Sequence, residues 1–259
     1  MSAYKWIIAS SILCYIGFGA WVWNHDSSKE GQDSFDALRI LGRLPESGDA
    51  FAVYSSTTEN GRSPGYAFYL PMTALAWKRI GFRSIVVLAG EIGNWDTDKV
   101  LHHIKELVLE LNGLVILLPT SNDRSVMVSQ VSRIYVADIL HSLNPDLPDF
   151  YLVTSDADLW PIAKDVFHLP RNKSIMSLHC CGQFQQNGRK YKMLPMGYIG
   201  MNASMWRRLT SMRNASASNI PDIINVFYEQ FGEVAHMKVK KGQNLGWYLD
   251  QRMISILID

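Results

Sequence analysis

"RSIVVLAGEIGNWDTDKVLHHIKELVLELNGLVILLPT", residues 83–120, decides the fold. Its first part, RSIVVLAG (83–90), is a short apolar run rich in β-branched residues, which suits a buried strand. DTDKVLHHIKELVLELNG (96–113) has helical spacing, an acidic cap at its start and an Asn-Gly stop. LVILLPT (114–120) is again a strand. A strand, a helix and a second strand in so short a span imply a parallel pair joined by a crossover.

The alternation continues on both sides. FAVYSSTT (51–58) reads as a strand, YAFYLPMTALAWKRIG (66–81) as a helix stopped by Gly81, RSVMVSQVSRIYVADILHSL (124–143) as a helix and FYLVTSD (150–156) as a strand. The expected fold is α/β, a mostly parallel central sheet with helices on both faces. Ligands of such sheets bind beyond the carboxyl ends of the strands. Those ends read Ser55-Ser56-Thr57, Gly90-Glu91, Thr120-Ser121 and Asp156-Ala157-Asp158.

The 259 residues suit one large domain with an anchor and a linker, and a formal net charge of +1 without long blocks of one sign gives no footprint for nucleic acid. Trp6 to Trp23 carries no charge and would be roughly 27 Å long as a helix. This predicts a transmembrane signal anchor at 6–23, with Trp6, Trp21 and Trp23 at the interfaces and a cytoplasmic tail at 1–5 bearing Lys5. A cleaved signal peptide is the rival, but it would end in small residues where Trp21 to Asn24 is bulky. Residues 24–49 are expected to form a luminal stem, with one or two helical turns at Leu38 to Leu44, and 50–259 the folded domain. Three N-x-Ser triplets, at Asn172, Asn202 and Asn214, agree with a luminal destination. Cys14, Cys180 and Cys181 give neither a disulfide framework nor a zinc pair; the latter two are either thiols or a vicinal disulfide.

The chemistry gathers in YLVTSDADLWP (151–161). On an extended backbone Asp156 and Asp158 project to one side while Ala157 turns into packing. Two carboxylates this close repel unless a cation joins them, and Mg²⁺ or Mn²⁺ held by one or two carboxylates completes its shell with water and phosphate oxygens. The pair therefore points to a metal-bridged diphosphate. Acids also end strands as plain turn caps, so the spacing alone is weak.

With AVYSSTTENGRSPGYAFYLPMTALAWKRIGFRSIVVLAGE (52–91), QVSRIYVADIL (130–140), GYIGMNASMW (197–206) and WYLDQRM (247–253) in the same order around it, the chain resembles the nucleotide-sugar-dependent glycosyltransferases of the GT-A fold, with a glycogenin-like arrangement of motifs, over about residues 50 to 256. The resemblance implies a Rossmann-like GT-A domain behind a type II anchor in the Golgi or endoplasmic reticulum membrane. The donor would be a nucleoside-diphosphate sugar such as a UDP-sugar, Mn²⁺ or Mg²⁺ the cofactor, and a glycan, protein or lipid the acceptor.

Residue by residue, Asp156 and Asp158 match the metal and ribose-diphosphate motif, and Ser55, Ser56 and Thr57 match the loop that cups the nucleoside. Arg133 resembles the arginine that reaches the nucleotide; the alternative is a surface salt bridge on an amphipathic helix. Gly197 and Gly200 match the segment lining the sugar, or else mark a bend in a strand. Trp206 would stack on an acceptor sugar or lie in the core. Asp250 matches a third acid, either base for the acceptor hydroxyl or a group that orients substrates. His179 and His236 are candidate extra metal ligands.

Similar enzymes continue further after the position of Asp250, so a membrane-anchored pseudo-glycosyltransferase that binds nucleotide or glycan without turnover is the alternative function. A haloacid-dehalogenase-type phosphatase also uses D-x-D, but after its first strand and with threonine or valine two positions on, where this chain has Trp160 after its fourth strand.

Overall fold

The computed structural model describes residues 38–57, 65–121, 124–178, 182–211 and 248–259. The apolar run 6–23, residues 24–37, His179, Cys180, Cys181, Asn214 and His236 lie outside the described residues. Among the described residues no helix is long and apolar enough to cross a membrane.

Among the described residues a seven-stranded sheet runs in the order β1-β4-β3-β2-β5-β9-β6, where β1 is Arg39–Leu41, β2 Ala50–Thr57, β3 Arg83–Gly90, β4 Leu114–Pro119, β5 Tyr151–Thr154, β6 Met176–Ser177 and β9 Ile199–Asn202. The four central strands are parallel, with β2 paired to β3 and β5, and β3 to β4. Strands β1 and β9 run antiparallel to their neighbours β4 and β5. The α/β class with a mostly parallel sheet is thus as expected. The patch at Leu38–Leu44 is not helical, however: β1 pairs Ile40 with Ile116, so the sheet begins inside the segment expected to be stem. Three residues with Arg39 ion-paired to Asp96 make a short, charged edge of the kind that resists further pairing.

Buried residues alternate between two cores because both faces of the sheet are covered. Phe51, Val53, Ile85, Val87, Leu114 and Ile116 face one side, where α4 (Ser125–Leu143), α5 (Ala203–Ser211) and α6 (Leu249–Ile258) pack. Ala52, Tyr54, Val86, Leu88, Val115 and Leu117 face the other, against α1 (Leu70–Arg79), α2 (Ile92–Thr97) and α3 (Lys99–Glu110). That is why the strands read as continuous apolar runs rather than as alternating ones. A separate hairpin, β7 (Gly182–Gln186) with β8 (Arg189–Met193), turns at Asn187-Gly188, both with positive φ.

Local signals fix the helix ends. Asp98 accepts from the amides of Val100 and Leu101 at 2.8 and 3.0 Å, capping α3. Gly81, at φ 87°, ends α1: its amide donates to Lys78 O and that of Phe82 to Trp77 O, while the rings of Phe82 and Trp77 meet at 5.3 Å.

The topology also places the site. From β2 the chain steps outward through β3 to β4, then α4 carries it back across the sheet to lay β5 on the other side of β2. The carboxyl ends of β2 and β5 therefore flank a switch point, where an open α/β sheet leaves a crevice.

Candidate functional site

The turn after β5 is fixed from below. Ser155 donates its amide to Val53 O at 2.7 Å, and its hydroxyl accepts from the indole of Trp77 at 3.1 Å. Thr73, buried on α1, donates to Ala157 O and accepts from the Trp160 indole at 3.1 Å. Ala157 is buried while Asp156 and Asp158 are exposed, the arrangement that the alternation implied. The tryptophan after the acids is thus one of the pins that hold their turn.

In front lies a cleft of about 300 Å³. Ser55, Ser56 and Thr57 line it from β2, Asp156, Ala157 and Asp158 from the turn, and Val126, Ser129, Gln130 and Arg133 from α4. Tyr66 and, from α6, Asp250 and Gln251 complete the wall. The hydroxyl of Thr57 is buried and has no hydrogen-bond partner among the described residues, a cost that a polar ligand would relieve.

Arg133 organises this space. It is 8% exposed, so it is not the surface ion pair that an amphipathic helix would carry. It donates to Ser155 O and to Asp156 Oδ1, both at 2.7 Å, and to Asp250 Oδ2. Burial alone would lower its pKa, but Asp250 and Asp156 more than offset this and raise it, so the guanidinium stays charged. Asp250, 1% exposed, also accepts from the Gln251 amide at 2.7 Å through Oδ1. Burial pushes its pKa up, opposed by Arg133, with Asp156 adding to the rise. Both oxygens of Asp250 are thus engaged, which suits a positioning role better than that of a free base.

Neither Gly197 nor Gly200 is among the residues that line the cleft, and the two differ in what they touch. A Cβ on Gly197 would come within 3.0 Å of Asp156 Oδ2, so the bare backbone lets the acid lie against it. Gly200 sits in β9, where a Cβ would fall 1.8 Å from the Tyr151 hydroxyl; the ring of Tyr151 crosses it, and it lines no part of the cleft. Its expected place against a sugar is replaced by a packing role. Trp206 is core, with its indole donating to Leu152 O at 3.3 Å. Gly90-Glu91 and Thr120-Ser121 do not line the cleft because β3 and β4 lie beyond β2, away from the switch point.

Sequence reasoning missed Tyr66, Val126, Ser129, Gln130 and Gln251. A signal existed on α4: Ser129, Gln130 and Arg133 lie on one face at helical i, i+1 and i+4 spacing, three polar side chains together in a mostly apolar helix, with Val126 a turn before them.

The charges decide what can enter. Among the described residues, Asp156, Asp158 and Asp250 against Arg133 give the lining a formal charge of −2, with no other charged side chain among them. An anionic diphosphate would be repelled, whereas a divalent cation would be drawn in. Asp158 has no side-chain hydrogen bond among the described residues and is free to ligate, while Asp156 has given Oδ1 to Arg133. No group of three or more His, Cys, Asp or Glu is gathered among the described residues. The donor set fits Mg²⁺ or Mn²⁺, which one or two carboxylates, water and phosphate oxygens suffice to hold. No protein-family model matches the chain, and no curated protein matches it.

Proposed function

We propose that the chain is a metal-dependent glycosyltransferase that moves a sugar from a nucleoside-diphosphate sugar, with UDP-sugars the first donors to test, to a glycan, protein or lipid acceptor at a Golgi or endoplasmic reticulum membrane. The observation that carries the reading is the cleft at the switch point, net negative at its floor and lined with hydroxyls at the end of β2. A nucleoside diphosphate needs both: neutral donors and acceptors for base and ribose, and a cation between the carboxylates and the pyrophosphate.

The geometry supports these roles for the lining residues. Ser55, Ser56, Thr57 and Tyr66 take the nucleoside, with the unpartnered Thr57 hydroxyl the first to bond it. Asp158 would be the direct ligand of a divalent cation, which when bound would act as a Lewis acid toward the departing diphosphate. Arg133 holds Asp156 in place. Asp250 holds Arg133 and thereby ties α6 to the turn.

Purified full-length chain should be stabilised by UDP in the presence of Mn²⁺ but not by UDP alone, about 2.7 kcal/mol at a hundredfold excess over Kd. Asp158→Ala should abolish that shift with the unliganded melting temperature unchanged, since the side chain is exposed and makes no side-chain hydrogen bond among the described residues. Equal UDP stabilisation with and without Mn²⁺, or an Asp158→Ala variant that behaves as wild type, would remove the proposal.

One observation favours the second reading, binding without turnover: Asp250 has both oxygens engaged, so the lining offers no free buried base among the described residues. Mn²⁺-dependent UDP binding with no hydrolysis of any donor sugar would select it.

A further inference from the structure

The outer face of α1 and the turn before it carry exposed apolar side chains. Tyr69, Met72 and Leu75 recur at helical spacing and are all exposed, and Phe68 precedes them. The ring of Tyr69 lies 6.0 Å from Phe68 and 6.3 Å from Trp160. Two residues further on, Ile162 is 97% exposed. These side chains belong to two neighbouring segments, joined by the Trp160 to Thr73 hydrogen bond and by the contact of the Tyr69 and Trp160 rings.

The patch has a basic end. Lys78 and Arg79 are exposed on the last turn of α1, and the ammonium of Lys164 lies beside Gly81, where a Cβ would be 3.3 Å away. These cations outnumber Asp165, the acid of the same stretch. Aromatic and aliphatic side chains on one face with lysine and arginine at the rim are the composition of surfaces that lie in the headgroup layer of a bilayer.

We infer that this face, Phe68 to Leu75 together with Trp160 and Ile162, docks on the lipid surface of the membrane to which the chain is anchored. The inference rests on the reading of residues 6–23 as the anchor. Residues 24–37 span at most about 50 Å when fully extended, which keeps the domain within reach of that surface. Tyr66 lines the cleft and Phe68 follows it in the same turn; Asp158 lines it and Trp160 follows. Docking on this face therefore sets the cleft beside the bilayer.

The test uses full-length chain in nanodiscs of phosphatidylcholine and phosphatidylserine that carry a lipid with a photoactivated carbene precursor on its acyl chain, with labelled peptides mapped by mass spectrometry. Label is expected in 6–23 and, separately, in peptides covering 65–79 and 159–167, with the exposed hairpin residues 183–192 unlabelled. Met72→Glu combined with Ile162→Glu should cut labelling of both patch peptides several-fold and leave that of 6–23 unchanged. Both side chains are exposed, so an unchanged melting curve will show that the fold is kept. Label in 6–23 with none in the patch overturns the docking and spares the anchor; no label in 6–23 overturns the anchor itself.

Discussion

Arg133 sits between two acids that it cannot both neutralise, and the consequences are measurable. Arg133→Met keeps an apolar stem but leaves Asp250 buried without its partner, which should cost about 3–5 kcal/mol at neutral pH in urea unfolding. Asp250→Asn is milder, about 1–2 kcal/mol, because one amide oxygen can still accept from Arg133 or from the Gln251 amide but not from both. The pH dependence has a definite sign. Burial raises Asp250 above its ordinary value of 3.8, so the folded state binds that proton more tightly than the unfolded chain does. Its contribution to stability is full below the unfolded value and is lost as pH rises through the folded one. Asp250→Asn removes this dependence, so its stability curve should be flatter than that of the wild type as pH rises from the ordinary aspartate value. A parallel pair of curves would show that Asp250 is not the group responsible. None of this was legible in the spacing of the residues: Arg133 and Asp250 are far apart in the chain, and only α6 folding against α4 makes them neighbours.

At the level of the elements, two glycines in one short segment do different work. Gly197→Ala should cost under about 1 kcal/mol, because the Asp156 carboxylate that it displaces is half exposed and can move, yet it should weaken Mn²⁺-dependent UDP binding. Gly200→Ala meets the Tyr151 ring within β9, where the hydroxyl is held by Phe167 O at 2.8 Å, and should cost about 1–3 kcal/mol by overpacking. Melting and nucleotide titration on the two variants separate the effects; the same loss in both assays for both would refute the assignment. The motif turn is likewise held by an element remote in sequence. Thr73→Val removes the hydroxyl that bonds Ala157 O and the Trp160 indole and should cost about 1–3 kcal/mol, with a loosened turn and weaker UDP binding. An isosteric variant that melts and binds as wild type would show that the turn does not depend on this pin. Helix ends, by contrast, were readable residue by residue, because the Asp98 cap and the Gly81 stop act through bonds that span a few positions.

The whole molecule answers to the charge at its cleft. Chelation of divalent ions should leave the melting temperature of the unliganded protein unchanged, because Arg133 already bridges two of the three acids, and should erase stabilisation by UDP; a lower melting temperature on chelation alone would mean that the metal is structural. The amino-acid pattern by itself determined the α/β class, the strands and helices of the core and the two exposed carboxylates after β5, since each depends on periodicity or on bonds within a few residues. It misassigned the patch at Leu38–Leu44, whose strand exists only because β4 offers an edge to pair with. Tertiary structure alone decided which strand ends meet, that Arg133 is a buried clamp, that Asp250 has no free oxygen and that Gly200 serves packing. Those outcomes depend on contacts between distant segments, and the order of strands in a sheet is fixed by how its faces are covered rather than by any one strand's composition.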